Sequence, residues 1–73
     1  MKLYYYADTD SLYIDLAERP GVTAKEVVPD VVLDLDGEGR VVGIDIDRAS
    51  RHVDLPRLEA ASVPFQTVSG PSS

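Results

Sequence analysis

The chain has no cysteine and no tryptophan, a single histidine, and only seven basic residues against thirteen acidic ones among its 73 positions. Without cysteine no disulfide and no thiolate metal site can form, a usage that fits a reducing cytoplasm. One histidine is too few for a zinc site of the ordinary kind. The formal net charge is −6 and the bases are scattered, whereas binding to phosphate backbones rests on clustered Lys and Arg. Nucleic acid and anionic membrane are therefore disfavoured as partners, and a basic protein is electrostatically easier to accept. No apolar run approaches the roughly 20 residues that span a bilayer. Acids arrive by Asp8, so MKLYYYADTD lacks the apolar stretch of a signal peptide. These shortages point to a soluble, cytoplasmic protein with no cofactor.

Small size is the other constraint. A chain this short buries only ~60% of its unfolded surface on folding, so a lone core is marginal. Disulfides, metals and oligomerisation are the usual supports for such scaffolds. With the first two disfavoured, a homodimer is expected.

What the sequence does contain is short β-favouring runs separated by turn residues. Leu3 to Tyr6 is aromatic, and Ala7-Asp8-Thr9-Asp10 is a turn cluster. In SLYIDL, Leu12, Ile14 and Leu16 alternate with Ser11, Tyr13 and Asp15, the period of a strand with one buried face. Glu18-Arg19-Pro20-Gly21 is a second turn. Val22 to Val28 reads as a third strand whose Lys25 and Glu26 suit an edge, ended by Pro29-Asp30. Val31 to Leu35 and Arg40 to Asp47 form the clearest pair. Setting Leu35 opposite Arg40 brings Leu33 to Val42 and Val31 to Ile44, which gathers the apolar side chains on one face; a slip of one residue would scatter them. Leu55 to Ala61 suits a brief helix with Pro56 near its start, and Ser50 suits a cap. The expected fold is mainly β (α+β): an antiparallel meander of about five strands with a short C-terminal helix, one domain over residues 1–62 and a disordered tail over 63–73.

The stretch DLDGEGRVVGID has the outline of a calcium loop. Asp34, Asp36, Glu38 and Gly39 fall at positions one, three, five and six of an EF-hand pattern, with Asp45 at twelve. That loop needs helices on both sides. Its flanks here are VVPDVVL and a period-two run through Ile44 and Ile46, and β-branched residues of this kind suit strands. Asp36-Gly37-Glu38-Gly39 is instead expected to be a hairpin turn, with Asp36 in its first position and Gly39 in the left-handed one.

Three other groups are candidates for function. Asp8, Asp10 and Asp15 could crowd at one end of the first hairpin and hold a divalent ion or perform acid–base work; the blander reading has Asp8 and Asp10 fixing the turn and Asp15 on a wet face. Asp34, Asp45 and Asp47 share a face in the chosen register and would concentrate negative charge, either as a solvated surface or as a docking surface for a basic partner. Ser50, His52 and Asp54 supply the residue types of a catalytic triad, but nothing in their crowding makes them converge. The balance favours a non-enzymatic module.

Two segments, YYYADTDSLYIDL and VVLDLDGEGRVVGIDIDRAS, resemble the bacterial domain-of-unknown-function family 2283. Its pattern runs Tyr-Asp-x-x-x-Asp-x-Leu-Tyr-Ile, then Asp-x-x-Gly-x-x-x-Gly-Ile-Glu and a closing Ala-Ser. Tyr6, Asp10, Leu12, Tyr13 and Ile14 fit the first part; Asp36, Gly39, Gly43, Ile44, Ala49 and Ser50 fit the second. Asp45 stands where Glu is usual, and Ala7 follows Tyr6 where an acid is common. The resemblance covers about residues 3–60. It implies a compact β-meander with a short helix and no established activity. It also implies, from members encoded beside small ribonuclease-like toxins, an antitoxin-like role in which an acidic sheet mimics phosphate.

Overall fold

A computed structural model describes residues 1–61 and 64–68. Six strands, β1 (Lys2–Tyr6), β2 (Ser11–Asp15), β3 (Thr23–Val28), β4 (Val31–Leu35), β5 (Val41–Ile46) and β6 (Phe65–Val68), form one sheet in the order β3-β4-β5-β2-β1-β6. Two short helices, α1 (Ala49–His52) and α2 (Leu55–Ala60), lie between β5 and β6. The fold is mainly β.

The meander expectation needs one addition. β1 to β5 are joined by antiparallel pairings, but β6 lies parallel to β1, with Leu3 beside Phe65 and Tyr6 beside Val68. The disordered tail expected from residue 63 is thus corrected at 65–68, while residues 62–63 and 69–73 lie outside the described residues. No local signal marks a four-residue edge strand whose partner is some 60 positions away.

The β4–β5 register is also corrected. Leu33 faces Ile44 and Val31 faces Ile46, two residues from the expected pairing, with an irregularity where Leu35 meets Val41. A shift of two leaves Ile44 and Ile46 on their expected face, so apolar alternation there fixes the face and not the pairing, whereas the irregularity sets Val41 opposite Leu35. The turn itself is as expected. The Gly39 amide donates to the Asp36 carbonyl at 3.1 Å, and Gly39 takes φ +81°, a conformation glycine adopts without steric cost.

The pairings divide the side chains cleanly. Leu3 and Tyr5, Leu12 and Ile14, Ile44 and Ile46, and Val31 and Leu33 stand on one face. Leu3, Leu12 and Ile46 are buried there with Ala49 of α1, and Val53, Leu55 and Leu58 from the helical segment pack against them. The opposite face carries Lys2, Tyr4, Tyr13, Asp15, Asp45, Gly43 and Asp34. Pro56 stands in the first turn of α2 and Asp54 caps it, its carboxylate accepting from the Arg57 amide.

Candidate functional site

The acids fall into two groups: Asp10, Asp30 and Asp36 at the turns each accept several hydrogen bonds, and Asp15, Asp34 and Asp45 share one face of the sheet. Asp36 is buried at the β4–β5 turn. Its carboxylate accepts from the Glu38 and Arg40 amides, both at 2.9 Å, and from the guanidinium Nε of Arg19 at 2.8 Å and of Arg40 at 3.2 Å. These donors, the Arg40 amide foremost, hold its pKa down at about 2. The carboxylate that would open a calcium loop's second ligand position therefore locks a hairpin.

Asp10 clips the β1–β2 turn to α1. It takes φ +55°, its carbonyl accepts from the Ala49 amide, and its carboxylate accepts from the Ser50 hydroxyl at 2.7 Å, the Ser50 amide, and the Tyr5 hydroxyl at 2.8 Å. The Ser50 hydroxyl, then Tyr5, lowers the Asp10 pKa, and the anion in turn raises that of Tyr5. Ser50 was expected to cap a turn. It is instead the residue capped, because Arg48 occupies the N-cap with left-handed backbone and makes no side-chain cap.

Asp30 performs the same work at the β3–β4 hairpin tip. Arg48 grips it in a two-pronged pair at 2.6 and 3.0 Å, and His52 Nε2 lies 3.0 Å from the same carboxylate. His52 first, then Arg48, lowers the Asp30 pKa. Ser50, His52 and Asp54 thus point to three different partners, Asp10, Asp30 and the Arg57 amide. Nor does the first acidic trio gather. Ser11 pairs with Tyr6 and Asp15 with Lys2, at opposite ends of the hairpin, so Asp15 is separated from Asp8 and Asp10 by the length of a strand at roughly 3.3 Å per residue.

The second group of acids sits on the face away from the helices. Tyr13 stands directly opposite Tyr4 on one side and Asp45 on the other; Lys2 stands opposite Asp15. The Tyr13 ring leans across Gly43 and donates its hydroxyl to Asp34 Oδ2 at 3.0 Å. A Cβ at Gly43 would lie 2.5 Å from the Tyr13 Cζ, so only glycine leaves room for the ring. An aromatic side chain laid over a strand glycine also shields the exposed backbone. Burial against the sheet, followed by the bond to Asp34 and the charges of Asp34, Asp15 and Asp45, raises the Tyr13 pKa to about 12.

Among the described residues Asp45 has no such donors. Its pKa is raised, first by loss of water where it sits on the sheet, then by Asp47 and Asp34. Asp47 lies just past β5, its amide bonded to the Asp30 carbonyl. Tyr4 holds the ammonium of Lys2 at 5.7 Å from its ring centre, the geometry of a cation–π contact. The face is therefore a patch of Asp15, Asp34 and Asp45 around Tyr4 and Tyr13, with Lys2 as the base among its described residues. Such a surface can attract cations and stack on flat cationic groups. Sequence reasoning located its acids but missed Arg19, Asp30 and Arg48, and gave no structural reason for Gly43.

A family model described as "Protein of unknown function (DUF2283)" matches residues 2–50. It takes in the Tyr13–Gly43–Asp34 arrangement and both partners of the Asp10–Ser50 clip. Comparisons with curated proteins and with solved structures return no significant match.

Proposed function

Since the chain belongs to the DUF2283 family, a family of uncharacterised function, we propose that it is a non-enzymatic interaction module: a homodimer whose acidic, tyrosine-bearing face docks a basic protein, in the manner of an antitoxin. The observation that carries this reading is the difference between the two groups of acids. Asp10, Asp30 and Asp36 are engaged by donors within the chain, whereas the ionisation of Asp45 is disfavoured first by loss of water on the sheet and then by the charges of Asp47 and Asp34. Crowding like charges on a sheet costs stability, and a cationic partner would relieve that cost. Arginine is the group best matched to a surface of carboxylates and aromatic rings, because its guanidinium both pairs and stacks.

Co-purification from the native host tests the proposal if two baits are compared, the wild-type chain and an Asp15→Lys/Asp45→Lys variant. A basic protein enriched by the first and lost with the second is the expected outcome; the same proteins recovered by both, or none, would contradict it. The competing reading is a divalent-ion or acid–base site built on Asp8, Asp10 and Asp15. It needs three carboxylates that the hairpin holds apart. Calorimetric titration with calcium, magnesium and manganese discriminates: heat of binding abolished by Asp10→Asn would favour the ion site.

A further inference from the structure

Resting on the homodimer reading above, we infer that two copies meet through the apolar face of the sheet beyond the helices, centred on Ile14, Ile44 and Leu33. The helices complete only part of that face. Along β2, Leu12 is fully buried but Ile14 only half; along β5, Ile46 is buried but Ile44 half; along β4, Val31, Leu33 and Leu35 are all half-buried. Burial falls from Leu12 to Ile14 and from Ile46 to Ile44 while the side chains stay large and apolar, although Val42 beyond Ile44 is buried again. Five hydrophobic side chains in all are classed as buried among the described residues, a small core for any domain.

The small core and the absence of cysteine make a second copy the occupant, and charge turns that copy away from the acidic face and from the β3 edge. A two-fold dimer sets each surface against itself. On the opposite face that would oppose Asp15, Asp34 and Asp45 to an identical set, a like-charge juxtaposition that excludes partners. The free edge of β3, where all six residues are exposed, is no better. Edge-to-edge antiparallel pairing about a two-fold keeps every residue on its own side of the joined sheet, so the pairing centres on a single residue. Centred on Lys25 it opposes two lysines, and centred on Glu26 two glutamates. Moving the centre outward shortens the ladder or meets the irregularity between Glu26 and Val28 and then Pro29. A lysine and a bulge on an edge strand are known guards against such pairing. The apolar face has no such conflict, since Ile14, Ile44, Leu33 and Leu35 carry no charge and Lys25 stands at their margin, opposite Leu33.

The absence of native cysteine makes the test direct. Single cysteines at Leu33, Asp45 and Glu26 would be treated with a bis-maleimide spanning about 10 Å, the spacing of sheets packed face to face, after sedimentation of the wild-type chain has established its mass. Leu33→Cys is expected to convert to a covalent species of twice the mass, and Asp45→Cys and Glu26→Cys to remain single. Ile14→Cys serves in its place if circular dichroism shows Leu33→Cys to be unfolded. A dimeric wild type cross-linked only through Asp45→Cys or Glu26→Cys overturns the interface and leaves the dimer standing. A monomeric wild type overturns both.

Discussion

Asp36 and Asp45 lie nine positions apart on the same hairpin and have opposite surroundings. Asp36 is buried and collects two amides and two guanidinium groups; Asp45 is exposed and neighbours two further acids. One has its pKa pulled down to about 2 and the other has it raised. The difference teaches that net charge says little about what individual acids do. Part of the negative charge in this chain is structural mortar at hairpin tips, and part is left facing outward.

Asp36→Ala should produce the largest effect. It strips the turn of its acceptor and takes from two amides and two guanidinium groups their shared partner, so the thermal midpoint should fall far more than for Asp45→Ala, as measured by scanning calorimetry. Equal losses for the two would erase the distinction. The same pair has a pH signature. A carboxyl group whose folded pKa lies below its unfolded value adds stability above the unfolded value and forfeits it as pH falls. For Asp36 that window runs from 3.8 down to about 2, with Asp10 and Asp30 acting in the same sense. Asp36→Asn should flatten the acid limb of a denaturation curve taken across that range.

Gly43→Ala comes next. In an ordinary strand it would be neutral or helpful; here the methyl group collides with the Tyr13 ring. Overpacking and loss of the Tyr13–Asp34 bond together cost about 2–4 kcal/mol, readable from urea titration. In a Tyr13→Ala background the penalty should largely vanish, and an undiminished penalty there would refute the proposed collision. Tyr13→Phe, which removes only the hydroxyl bond, should cost about 1 kcal/mol. It should also abolish the alkaline loss of stability expected between pH 10 and about 12, since the Tyr13 proton is held more tightly in the folded state. Asp45→Asn should do least, leaving stability unchanged or slightly improved at neutral pH because a like-charge contact is relieved.

How much of this the sequence disclosed depended on distance along the chain. The Asp36–Gly39 turn was readable because its chemistry is local, a carboxylate accepting from amides two and four residues on. The apolar face was readable because alternation has a fixed period. The β4–β5 register was not, since two-residue slips preserve that period and the irregularity near Leu35 absorbs the offset. The Asp10–Ser50 clip joins residues 40 apart and the Asp30–Arg48 pair residues 18 apart; both are made by folding and have no spacing rule. Gly43 entered only as a position of the family pattern, and its constraint, a tyrosine 30 positions earlier, needs coordinates.

The most direct test is site-resolved titration of the carboxyl carbons by NMR. Asp36 should titrate near 2, Asp10 and Asp30 below the ordinary aspartate value, and Asp45 above it. Should Asp45 titrate among the low group, or Asp36 at the ordinary value, the division between acids that tie the fold together and acids left outward for a partner would be contradicted.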